Sequence, residues 1–170
     1  MGDRTVTIQM QMQVKGLNGA REMLRAIPKR IALHRNGPVR GALKVGAYFL
    51  RDKAKANLRR SIEIRGEEST GATESAVVVT PARNSASREG VRYLVRVKKA
   101  SFVNAHGYRT QAQMTANLLE YGSAHQPATP WLRPALYQHG GETVNIITAE
   151  LNARLAEMVE ALAADYRSKG

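Results

Sequence analysis

The chain has 170 residues, with 26 lysines and arginines against 14 aspartates and glutamates for a net charge of +12, 5% aromatic residues and no cysteine. That length suits one domain over residues 1–170 with a core of Leu, Val, Ile, Ala and Met, and the lack of Cys excludes disulfide frameworks, thiolate metal sites and cysteine nucleophiles. The positive balance favours nucleic acid or acidic surfaces as partners, and no apolar run approaches the roughly 20 residues that span a bilayer.

The N-terminus alternates Val6, Ile8, Met10, Met12 and Val14 with neutral polar residues, a strand with one apolar face and not the apolar core of a signal peptide. A soluble chain, made and assembled in a reducing cytoplasm, is expected. Leu17, Ala20, Leu24, Ile27 and Ile31 recur at helical spacing and predict a short helix kinked near Pro28, ending at Asn36 and Gly37. Pro38 fits the first turn of a second, longer helix that runs to Arg60. On it Val39, Leu43, Leu50 and Ala54 share one side, while Arg40, Lys44, Arg51, Lys55 and Arg59 form a basic stripe on another.

From Ser61 the composition turns to β-branched residues, and 61–65, 76–80 and 91–98 read as strands. The Gly-, Ser- and Thr-rich segments near 66–75, 81–90 and 100–112 read as mobile loops, and 115–121 as a last short strand closing at Gly122. From Glu142 to Tyr166 the apolar stripe of Val144, Ile147, Leu151, Leu155, Met158, Val159 and Leu162 predicts a long C-terminal helix. Together these elements predict an α+β domain: a mainly antiparallel sheet packed against the long basic helix and the long C-terminal helix.

Motifs for catalysis are missing. His34, His106, His125 and His139 have no metal-ligand spacing, and no phosphate-cradling glycine loop or serine elbow is present. The adjacent Glu67 and Glu68 read as solvated loop carboxylates. The expectation is a protein without catalytic residues, cofactor or metal.

Charge is unevenly placed. Residues 21–60 hold twelve basic side chains against Glu22 and Asp52, a net of +10, whereas 142–166 hold five acidic residues against Arg154, a net of −4. Three readings of the basic stripe stand side by side: a solvated face, a track for a phosphate backbone with Tyr48 among the cations, or a surface that meets the acidic helix of a neighbouring copy in a head-to-tail ring.

Residues 118–136 run from a strand end through a glycine turn at Gly122 and a connector stiffened by Pro127 and Pro130, to Trp131 and Leu132, which can plug the core before the last helix. Arg133, beside Pro134, is placed to pair with Glu120 or to reach a neighbouring subunit. This stretch resembles the hallmark of the tail-completion family of HK-type lambdoid long-tailed bacteriophages. In that pattern an acidic-aromatic-glycine turn, here Glu120, Tyr121 and Gly122, is followed by an aromatic-Leu-Arg-Pro-Ala-Leu run, here Trp131 to Leu136. Gly16 and Leu17, the stretch from Asp52 to Asn57, and Thr70 with Gly71 agree as well, whereas Leu58, Arg59, Arg60 and a longer polar loop replace the family's proline and compact turn.

The resemblance implies a structural virion protein that completes the tail or joins tail to head, as a homo-oligomeric ring around the DNA channel. Its implied neighbours are tail terminator, head-completion or connector proteins, and packaged DNA held without sequence preference. Subunit contacts would come from Glu120, Tyr121, Gly122, Trp131, Arg133 and Pro134, and DNA or partner contacts from Arg40, Lys44, Arg51, Lys55 and Arg59. The competing expectation is a free nucleic-acid-binding protein that holds phosphates with the same basic helix.

Overall fold

The computed structural model describes residues 37–66, 69–82, 91–104 and 106–168. The predicted N-terminal strand, the helix from Leu17 to Ile31 and most of the loop 81–90 lie outside these residues. In chain order the elements are α1 (Pro38–Glu63), α2 (Ala72–Ser75), β1 (Val77–Pro81), β2 (Tyr93–Val97), β3 (Ser101–Val103), β4 (Arg109–Gln111), α3 (Ala112–Tyr121) and α4 (Leu132–Ser168). The class is α+β. Its strands form two antiparallel ribbons, β1 with β2 and β3 with β4.

The β3–β4 register pairs Ser101 with Gln111, Phe102 with Thr110 and Val103 with Arg109. Its turn is held by Asn104, whose Oδ1 accepts from the backbone N–H groups of His106 at 3.1 Å and Tyr108 at 2.9 Å. A side chain that caps its own turn is the device that Asn supplies most readily. The segment 100–112, read from sequence as a mobile loop, is thus largely a hairpin.

Two compact units divide the described residues, one built from 47–66, 69–80, 94–104 and 106–141 and the other from 37–46, 81–82, 91–93 and 142–168. In the second unit Ala42 of α1 packs with Ile147, Leu151 and Leu155 of α4, flanked by Val39 and Leu43. Gly46 lies directly under Ile147, so that a Cβ there would overlap the isoleucine Cγ1. Small residues at 42 and 46 allow the two helices this close approach.

In the first unit the buried row of α1 continues through Leu50, Ala54, Leu58 and Ile62, one residue per turn. This row carries the helix past Ser61 to Glu63, where a strand had been predicted over 61–65. Burial of Ile62 on the helical face outweighs its β preference, and Gly66, at φ 73°, stops the chain in the left-handed conformation. A second correction concerns 115–121, predicted as a strand and found in helix α3. Its buried residues Ala112, Ala116, Leu119 and Glu120 follow the helical period, and two of them are alanines that give little apolar signal.

The C-terminal helix also begins ten residues earlier than its apolar stripe suggests, at Leu132 and not Glu142. The Gly140–Gly141 pair looks like a break in sequence but is helical here. Interior glycine is unfavourable through backbone entropy, and a Cβ on Gly141 would meet nothing within 4 Å. Replacing Gly141 by Ala is therefore expected to raise stability by about 0.5–1 kcal/mol in urea unfolding, whereas the same change at Gly46 should lower it by about 1–3 kcal/mol through overpacking against Ile147.

Candidate functional site

Residues 116–137 form a corner held together by Glu120, Gly122, Trp131 and Arg133. Helix α3 ends as the N–H of Gly122 donates to the Leu118 carbonyl at 2.8 Å. Gly122 has φ 74°, and a Cβ on it would come to 2.8 Å from both the Ala128 nitrogen and the Gln126 oxygen. Only glycine fits both the backbone angle and the space.

The connector then folds back on α3. Ser123 and Gln126 exchange backbone hydrogen bonds of 2.8 and 3.3 Å, and the N–H of Thr129 donates to the Leu119 carbonyl at 2.8 Å. Arg65, just beyond the end of α1, ties the connector from the other side, with Nε donating to Thr129 Oγ1 at 3.0 Å and Nη2 to the Pro127 carbonyl at 2.5 Å. Asn57 Nδ2 donates to the Trp131 carbonyl at 3.2 Å. Trp131 is buried, and its indole N–H donates to the Ala116 carbonyl at 2.9 Å, so its polar atom is satisfied as the ring fills the core.

Glu120 closes the corner. Its side chain is 3% exposed, yet it accepts four hydrogen bonds from the start of α4. Oε2 takes the backbone N–H groups of Trp131 at 2.8 Å and Leu132 at 2.9 Å, and Oε1 takes the N–H of Arg133 at 3.3 Å and its Nε at 2.7 Å. Arg133 Nη2 also donates to the Glu120 carbonyl at 2.7 Å.

A helix begins with N–H groups that have no internal acceptor, and here one carboxylate from another helix takes three of them. The next residue, Pro134, has no N–H to satisfy. A negative charge at a helix N-terminus is favoured by the macrodipole, and the Arg133 guanidinium balances it from the solvent side. The same hydrogen bond to Glu120 pushes the Arg133 pKa above its ordinary value, against the opposing effect of desolvation.

Glu120 and Trp131 are thus occupied inside the chain. Around them Tyr121 is half exposed, the Arg133 guanidinium lies 5.4 Å from the centre of its ring, and Tyr137, one turn further along α4, is 82% exposed. Tyr121, Arg133 and Tyr137 form the outward surface of the corner, with Pro134 half buried beside them.

The predicted basic residues all lie on α1. Arg51 pairs with Asp52 at 2.7 Å and stacks 4.6 Å from the Tyr48 ring centre, and Lys53 lies 5.1 Å from the Phe49 ring. Arg59 is largely exposed, with its nearest acidic neighbour Glu74 at 3.8 Å. Lys44 is exposed, and Arg40 and Lys55 are half buried. Both His106 and His125 are exposed, and no three metal-ligating side chains come together among the described residues.

Sequence reasoning missed Arg65, the clamp on the connector, and Glu74, a second buried carboxylate. Neither stands in a pattern that announces it: Arg65 closes the stretch read as a strand over 61–65, and Glu74 sits in the polar segment read as a loop over 66–75. The geometry of the corner predicts an order of destabilisation. Glu120→Ala should cost about 3 kcal/mol or more in urea unfolding, because it leaves the backbone N–H groups of Trp131, Leu132 and Arg133 without their acceptor. Glu120→Gln keeps one acceptor and should cost less, and Arg133→Ala, which leaves the backbone cap intact, least. An Arg133→Ala loss equal to that of Glu120→Ala would mean that the ion pair and not the cap holds the corner.

Comparisons with protein-family models, with curated proteins and with solved structures found no match to this chain.

Proposed function

We propose that the chain is a structural virion protein of a long-tailed phage that completes the tail or joins it to the head, as one subunit of a ring around the DNA channel. One observation carries this reading. Within the ordered set Glu120, Tyr121, Gly122 and Trp131 to Leu136, which resembles the tail-completion pattern, Glu120 is hydrogen-bonded to Trp131, Leu132 and Arg133 across the turn that Gly122 makes. No helix among the described residues is long and apolar enough to cross a membrane, which is compatible with a virion component.

The surface around the corner has the composition of an interface. Met114, Leu118 and Tyr121 recur one turn apart on the exposed side of α3, and with Tyr137 they leave four large apolar side chains at the surface. Aromatic residues and arginine dominate the energetic centres of protein interfaces. Tyr121, Arg133 and Tyr137 are therefore placed at the contact with a second copy or with a tail terminator, head-completion or connector protein. Glu120 and Trp131 act behind that surface by holding it.

The second reading, a free nucleic-acid-binding protein, is favoured by the cations of α1 that lie over aromatic rings. Light scattering on the purified chain without DNA separates the two. A ring subunit should give a discrete mass above the 18.7 kDa of one chain at low and at high salt, and Tyr121→Ala with Tyr137→Ala should lower it. A single-chain mass at both salts, with DNA retention that falls steeply between about 50 and 200 mM salt, would support the free binder instead.

A further inference from the structure

Next to the corner, and wholly within the first unit, lies a cleft of about 230 Å³ whose apolar wall includes Ile62, Phe102 and Leu119 and whose polar lining includes Glu74, Asn104 and Thr110. Glu74 is only 5% exposed. Its Oε1 accepts a hydrogen bond from Ser69 Oγ, and the Arg59 Nε is 3.8 Å from the same oxygen. Oε2 is buried and has no hydrogen-bond partner among the described residues. An acceptor left in this state is costly, more so when it belongs to a carboxylate, and it is stabilised most by a charged donor.

The size of the cleft restricts what that donor belongs to. Pockets for drug-sized ligands run to about 300–1,000 Å³, so this one holds about one long side chain. A divalent metal would need further oxygen or nitrogen ligands, and no such group of side chains assembles among the described residues. An apolar wall leading to a buried carboxylate matches an aliphatic stem with a cationic head. The elements that line the cleft also carry the exposed apolar residues Val103, Met114 and Leu118, which offer contact area to residues flanking an inserted side chain. Arg65, also at the cleft, is already held by Thr129 and Pro127.

We propose that this cleft receives a single arginine or lysine side chain of a partner polypeptide, with its stem against Ile62, Phe102 and Leu119 and its cationic head at Glu74, whose carboxylate rotates to bring the buried Oε2 to it. The proposal stands on the orphaned carboxylate oxygen and the shape of the cleft, independently of the assembly role above. The test uses the full chain and two probes, N-acetyl-arginine amide and its neutral isostere N-acetyl-citrulline amide, followed by backbone amide shifts in NMR. The arginine probe should bind with a Kd of about millimolar order and move the amides of Ser69, Thr73, Glu74 and Thr110, with the citrulline probe at least about tenfold weaker. Glu74→Gln should remove that preference, and Arg59→Ala should leave the arginine probe bound at least as tightly. The comparison of the two probes on the unaltered chain holds whether or not the Glu74 variant folds. Equal binding of both probes, shifts confined to other surfaces, or no shift up to about 50 mM would overturn the proposal.

Discussion

The start of α4 folds against α3 at the buried Trp131, and N–H groups taken from water there have to find other acceptors. Glu120 meets that requirement from α3, eleven residues back in the chain from the first N–H it caps. Burying a carboxylate is costly by itself, but four donors and a helix dipole converge on this one, and Arg133 neutralises it from the side that stays half exposed. The remaining motif residues follow from that arrangement. Gly122 lets the chain turn with backbone packed against its Cα, the connector is clamped by Arg65, and Trp131 fills the space behind the cap while its indole N–H is satisfied by α3.

Two buried carboxylates in one unit make the contrast sharp. Glu120 is saturated, with both oxygens shared among backbone and guanidinium donors, and it behaves as a structural rivet. Glu74 has one oxygen on Ser69 and the other without a partner among the described residues. Native interiors rarely leave such an atom unpaired, so an incomplete carboxylate beside an open cleft differs in kind from a complete one in a closed corner. The distinction cannot be made from residue type or burial, which are nearly the same for the two.

Long-period signals were legible in the sequence, and short ones were not. The helices α1 and α4 declared themselves by apolar spacing sustained over several turns. The strand read over 61–65 failed because Ile62 belongs to a row of buried side chains that already includes Leu50, three turns earlier, a fact of packing and not of local preference. The helix at 112–121 was hidden because alanine contributes half of its buried positions. In the motif, the glycine turn, the tryptophan plug and the Glu120–Arg133 pair were readable. The three-fold backbone cap was not, since it depends on which helix end Glu120 meets in space. Glu74 lay beyond reach for the same reason: a glutamate in a polar run gives no sign that it will be buried.

What the corner offers to a partner follows from its rigidity. An exposed aromatic side chain on a mobile loop loses conformational entropy on docking, and that loss comes directly out of the binding free energy. Here Tyr121 is the last residue of a helix, Arg133 and Tyr137 sit in the first turns of another, and the junction between those helices is fixed by buried hydrogen bonds. The backbone that carries these side chains is therefore fixed without any contact to a partner. The basic face of α1 works differently, because exposed charges are screened by salt and individually contribute little, so it suits the steering of an approach more than the holding of a joint.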